Sequence, residues 1–367
     1  MSLNPRRLAL TLAAPALAVV VAFVITSLVL LAVGDPVGQV WSTLLKEPRP
    51  RTTVNIINSA TTYYIAAVAV AIGFKMNLFN IGVDGQYRIA SFAAAIFAGY
   101  GWLPSWLNIV VAMLVAMVTG GIWAGIAGWL KVTRGVSEVI STIMLNTISA
   151  GLVGWGLRSW GQRAEGSNAR STTPIPESNQ LDGFALVPGA ANKVYTLVAL
   201  ALVVGLLYWF VINKTRFGFD LRATGQSESA AVASGVKVKR MVLVSIVLSG
   251  AVAGLVGMPA FFGADHAYGS SFQDGVGFVG IGVALLGCNH PVGIAFAALL
   301  WSWLEKASDG LQLEAQVSPA LVYIIQGSIL LAVVIAYEVV HRVERRMEQR
   351  QVARDLDASS VPEGAAA

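Results

Sequence analysis

The sequence predicts an all-α fold, a polytopic transmembrane helical bundle of about ten helices, some of them short or broken. Three observations carry that expectation. Residues 8–33 run 26 positions without a charged side chain, and a helix needs about 20 apolar residues to cross the roughly 30 Å hydrocarbon core of a bilayer. Comparable stretches recur to the C-terminus. Of the 367 residues, 56% are hydrophobic and 12% charged, against about a quarter charged in ordinary soluble domains, and mean hydropathy is +0.67. A soluble globular chain is thereby excluded. The 37 glycines suit helices that approach closely through small residues in lipid.

Taken in order, the charge-poor segments place spans at 8–33, 52–74, 86–101, 107–130, 139–157, 194–212, 241–264, 276–288, 291–305 and 318–338. Arg6 and Arg7 precede the first run as they would in a signal peptide. The run is longer than an h-region of about 7–15 residues and no small-residue cleavage site closes it, so it reads as a retained helix. The charge-free block 89–130 divides at Gly101-Trp102-Leu103-Pro104, and Asn289-His290-Pro291 breaks the block 275–304. The two pieces of the second block are too short to cross alone. Interrupted membrane segments need shelter from protein or a water-filled cavity, and in transporters they often mark the solute path.

Ten crossings put both termini on one side. With that side in the cytoplasm, 17 of the 25 basic residues lie inside, in accord with the positive-inside rule. The remaining eight, Lys46, Arg49, Arg51, Arg158, Arg163, Arg170, Lys193 and Lys306, lie outside. The net charge of +5 is thus a topology signal, and no nucleic-acid partner is expected. The expected organisation is a transmembrane domain over 1–340, with an inside loop at 213–240 and an outside loop at 158–193. A basic cytoplasmic tail over 341–367 follows, partly disordered. Cys288 is the single cysteine and the histidines number three; the latter, His266, His290 and His341, have no ligand spacing. No metal site is expected.

The most informative soluble stretch is 218–240. Within it Glu228–Ser234 reads as a short helix, with Gly225 or Ser227 at its start, Glu228 at the positive end of its dipole and Gly235 at C′. Isolated helices of fewer than about 12 residues are marginal in water. This helix presents small side chains, so it either docks in a groove of another protein or rests on the membrane as a connector. The chain has no Gly-Lys dipeptide and hence no GxxxxGK[ST] phosphate loop.

Five segments together resemble the permease subunits of bacterial ABC importers, in the nucleoside and simple-sugar branch related to ribose and branched-chain amino acid permeases. They are LFNIGVDGQYRIASF (78–92), GVSEVISTIMLN (135–146), GFDLRATGQSESAAVASGV (218–236), LSGAVAGLVG (248–257) and GFVGIGVALLGCNHPVGIAFAALL (277–300). The resemblance covers roughly residues 55–337. It implies a transport subunit without enzymatic activity of its own, set in the lipid bilayer of a bacterial inner membrane with both termini cytoplasmic. It also implies ABC ATPase subunits, a second homologous permease and an extracytoplasmic substrate-binding lipoprotein as partners. No cofactor is expected on this chain, since ATP and Mg would be bound by the ATPase. Leu221–Gly235 becomes the coupling helix and its lead-in, with Arg222, Gly225, Glu228, Ala230, Ala231 and Gly235 on motif positions. The chain departs from the family pattern at Asp84, usually Glu, and at Cys288, usually Arg.

Asn80, Asp84, Gln86 and Arg88 cluster where the third span starts. An acidic group near the bilayer costs a few kcal/mol unless it faces the protein interior with a partner, and Asp84 and Arg88 are four apart. The cluster either lines the solute path, with Asn146 as a further candidate, or caps a buried helix end and locks spans together. Asp265 and His266, just outside the seventh span, either meet substrate or binding protein or, as is commoner for a lone pair in a loop, are merely solvated. Trp102, Trp106, Trp155, Trp160, Trp301 and Trp303 read as the interfacial aromatic belt.

The function expected is therefore a membrane-spanning permease subunit of an ATP-driven importer of nucleosides. The alternatives are a permease for a simple sugar or branched-chain amino acid, and a secondary transporter driven by an ion gradient.

Overall fold

The computed structural model of the protein describes residues 20–163, 169–269, 272–311, 317–318, 320–333, 335–336, 339 and 342. The Arg6-Arg7 flank, the start of the first span and the tail helix begun by Glu338 lie outside the described residues. Contacts gather into two compact units, residues 46–307 and residues 1–45 with 308–367.

In the smaller unit, α1 (Val20–Val33) and α2 (Val37–Leu44) are joined by a Trp41 Nε1 hydrogen bond to Ser27 Oγ at 3.0 Å, and the Phe23 and Trp41 rings lie 4.4 Å apart.

The larger unit is built around α3 (Pro50–Phe74), whose apolar window is 83% buried and which therefore forms the centre of the bundle. Pro50 starts this helix, at a position where the missing N–H costs nothing. Around it stand α4 (Val83–Gly99), α5 (Ser105–Arg134) and α6 (Glu138–Trp160). Gly135, at φ +68°, ends α5 behind Lys131 and Arg134, which suit the negative end of the helix. A two-stranded pairing of Gln162–Arg163 with Arg170–Ser171 opens the long loop that follows.

Next come α7 (Val198–Lys214) and α8 (Arg216–Gln226), bent by 71° at Thr215, and the one-and-a-half-turn α9 (Glu228–Ala233). From α10 (Val238–Gly254) the helical course continues through Met258–Ala260 and a π turn at Phe261–Asp265, giving a 28-residue apolar span. The short α11 (Val276–Leu286) and α12 (Pro291–Gly310) follow, while α13 (Leu321–Val333) belongs to the smaller unit.

Small residues set the closest approach. A Cβ on Gly254 of α10 would lie 2.2 Å from the Ala116 carbonyl of α5, and one on Gly250 would meet Ala124 and Gly120. The backbones pack directly, as small-xxx-small seams allow in membranes.

The chain is a multi-pass membrane protein: four helices are long and apolar enough to cross, and a fifth if the bent α7–α8 pair is one span. The helices fall within a few residues of the expected spans from 52–74 to 291–305, while the start of the first span and the end of the last lie outside the described residues. Two particulars differ. The segment 291–305, expected to be too short, extends to 20 residues because Glu305 and Lys306 end the charge-free window without ending the helix. Trp301, assigned to the interfacial belt, is buried with its ring over Gly282.

Candidate functional site

The loop between α7 and α10 is a capped two-helix lever. Thr215 Oγ1 accepts from Gly218 N at 3.1 Å and starts α8; Ser227 Oγ accepts from Ala230 N at 3.3 Å and starts α9. Gly235, at φ +83°, lets the chain turn, and Val236 N returns to the Ala231 carbonyl at 3.0 Å. Leu221 and Ala231 are buried beneath the lever. Its other face carries Glu228 and Ala230 together with two apolar knobs, Phe219 and Val232, 64% and 61% exposed.

The lever is jointed to the bundle at two points. Arg222 Nη1 donates to the Ile212 carbonyl, holding α8 under the end of α7. Asn77, itself at φ +55°, donates from Nδ2 to the Gly225 carbonyl at 2.6 Å. A Cβ on Gly225 would lie 2.7 Å from the Lys75 carbonyl, so glycine is what permits this approach. Burial and the like charge of Arg222 hold the Lys75 ammonium below the ordinary lysine value, while Cys288 pulls it the other way.

Behind the 75–82 turn lies a saturated polar lock. Asn80 Nδ2 donates to Gln86 Oε1 at 3.0 Å and to Ser249 Oγ at 2.8 Å. Asn80 Oδ1 accepts from Gln86 Nε2 at 2.9 Å and from Gly82 N at 3.1 Å. Ser249 in turn donates to the Ala69 carbonyl at 2.6 Å. Asn146 of α6 accepts from Gly85 N and donates to the Ile81 carbonyl, both at 2.9 Å. Asp84 receives Arg88 at 2.9 Å and the Gly277 N–H, at the head of α11, at 3.2 Å. Arg88 also reaches Asp274 at 3.1 Å. One cluster thus ties α3, α4, α6, α10 and α11.

Asn80, Asp84, Gln86 and Asn146 are therefore brought together, with their hydrogen bonds spent on the chain itself. The lever residues sort into an inner set at the joints (Arg222, Gly225, Ala231) and an outer set facing away (Glu228, Ala230). Gly235 lies at the hinge.

Sequence reasoning missed α8, whose two glycines and low apolar content obscure its period, and the partners Asn77, Ser249 and Gly277. Asn77 had a signal, a short Asx residue in a Lys-Met-Asn-Leu break between two spans. The others had none, since their roles depend on distant helices. Among the described residues there is no group of three His, Cys, Asp or Glu side chains that could hold a metal ion.

Residues 52–334 match the family described as the branched-chain amino acid transport system permease component. A guanosine ABC transporter permease of Bacillus subtilis is 33% identical over 77% of this chain and 81% of its own length. A nucleoside ABC transporter permease of Lactococcus lactis is 29% identical over 88% of this chain and 90% of its own. A glucose ABC transporter permease of Haloferax volcanii is 30% identical over 90% of each.

Proposed function

The chain belongs to the family of branched-chain amino acid transport system permease components, and we propose that it serves an ATP-driven importer that takes up nucleosides. Two relatives with nucleoside substrates in their names support the solute class. The glucose permease relative favours a second reading, a simple-sugar permease of the same construction.

The observation that carries the mechanism is the joint between Gly225 and Asn77. An ATPase bound to the outer face of α8–α9 would push on a lever too short to be stable alone. The push would pass through Asn77 to the 75–82 turn, and from Asn80 and Asp84 to α10, α4 and α11. Because the lock is saturated, it would move as a unit rather than shear. The solute itself needs no covalent chemistry. The proposed assembly has this chain beside a second permease in a bacterial inner membrane, with α8–α9 and both termini cytoplasmic. ATP and Mg would sit on the ATPase, and a lipoprotein would deliver solute from outside.

The test is uptake of labelled guanosine and uridine by the complete complex in proteoliposomes, with ribose, glucose and leucine as competitors. Nucleosides should compete and leucine should not; if only sugars compete, the second reading replaces the first. Glu228→Lys and Gly235→Pro should leave the subunit assembled but abolish the rise in ATPase rate that solute normally evokes. A normal rise in both variants would remove the lever from the mechanism.

A further inference from the structure

Along α3, Arg51, Asn55, Asn58, Ser59 and Thr62 fall within an arc of about 100° at the helical period. They lie along one side of a largely buried span. Polar groups on a membrane helix are costly unless they meet protein partners or water. This stripe meets two adjoining cavities of about 430 Å³ and 200 Å³, which share Asn55, Asn58 and Tyr195 as walls. The outer cavity is also lined by Gln180, Asn192 and His266, the inner by Ser59, Thr62 and Gln273. The floor is fixed, since Gln273 Nε2 donates to Tyr63 Oη at 2.9 Å. The larger volume lies in the range of about 300–1,000 Å³ usual for small-molecule sites.

Two buried atoms on the outer wall, Asn192 Oδ1 and His266 Nδ1, have no hydrogen-bond partner, whereas buried polar atoms are nearly always paired. The charges largely cancel. Lys193 faces Asp182 at 3.7 Å and Lys306 faces Glu305 at 3.1 Å, so Arg51 is the one cation of the walls without an acidic neighbour among the described residues. Burial also holds the His266 imidazole below its ordinary value, and burial with the nearby Asp265 carboxylate lifts the Tyr195 phenol above its own, keeping both rings neutral at pH 7.

We propose that this groove is a binding site for a neutral, ring-bearing solute rich in donors and acceptors, a nucleoside, at the Pro50 end of α3. Side-chain amides offer donors and acceptors to base edges and ribose hydroxyls, and the Tyr195 and His266 rings offer faces to a base. A phosphorylated solute would find a single uncompensated cation. The proposal names a site within the importer reading and rests on it.

The experiment uses the complete complex in proteoliposomes. Wild-type complex is photolabelled with 8-azidoadenosine and the attachment mapped by mass spectrometry. The label should fall within residues 51–62, 180–195 or 260–273, and guanosine, but not guanosine monophosphate, should suppress it. Asn55→Leu and Thr62→Val should each raise the KM for guanosine uptake by about tenfold, the size of one lost hydrogen bond in a binding site, with the saturated rate retained. Ala264→Trp, at an exposed wall position, should block entry without touching the packed core. If wild-type complex imports nucleosides while all three variants keep its KM and the label maps elsewhere, the groove is not the site. If wild-type complex imports no nucleoside, the importer reading fails first and the nucleoside assignment of the groove falls with it.

Discussion

The amide of Asn80 spends every hydrogen bond it makes on its own chain, four of them around one side chain. Asn192, bound to the Arg51 carbonyl at 3.2 Å and to Asn55 at 2.6 Å, leaves its Oδ1 buried and unpartnered. Both are polar residues set against membrane helices, yet they do opposite work. A saturated cluster resists change, because breaking any member strands the others in a low dielectric. An unsaturated wall lowers the cost of admitting a guest that supplies the missing partners. Under the proposed coupling, α3 would need stiffness at its Lys75 end and receptivity at its Pro50 end.

The contrast is sharpest at Asp84. Removing its carboxylate would leave Arg88 with Asp274 alone and the Gly277 N–H with nothing. Breaking a buried pair from one side costs about 3–5 kcal/mol. Asp84→Ala should therefore show the largest loss of thermal stability in detergent. A melting temperature equal to wild type would mean that the cluster is not a lock.

Asn80→Ala is the next test. The bond to Ser249 is interhelical, a kind that averages about 0.6 kcal/mol in membranes. Losing the amide also strands buried Gln86 and the Gly82 N–H at about 1 kcal/mol or more each. The predicted loss is therefore about 2–3 kcal/mol, and Asn80→Asp should not restore the donor functions. A loss confined to uptake, with melting unchanged, would move Asn80 from the lock to the solute path.

The sequence made the bundle legible because the hydrocarbon core imposes one length scale on every span, and a charge-free window reports that scale directly. The ends of α3, α5 and α6 lie within a few residues of the expected limits. The cap at Ser227 and the left-handed turn at Gly235 were also readable, since they depend on neighbours within six residues.

The site was only half legible. Asn80, Asp84, Gln86 and Asn146 could be picked out as polar groups in apolar surroundings. Whether they faced a path or one another depended on Ser249 and Gly277, more than 160 residues away from Asn80 and Asp84. The stripe from Arg51 to Thr62 was present at helical period, but its meaning depended on where the loop carrying Gln180 and Asn192 closes over it. Spacing within a helix does not encode that closure.

The smallest expected effect belongs to Thr62. It is buried to 5% exposure, like the members of the lock, and a reading from burial alone would rank it beside Asn80. Its neighbour Thr61 closes a 2.8 Å bond to the Ile57 carbonyl, whereas Thr62 lies on the wall of the inner cavity. Replacing a cavity-facing hydroxyl by a methyl strands no partner, so Thr62→Val should change stability by less than about 0.5 kcal/mol. Differential scanning fluorimetry of the purified complex would read this directly. A loss of the size expected for Asn80→Ala would place Thr62 in the lock, and the division of α3 into a stiff half and a receptive half would no longer hold.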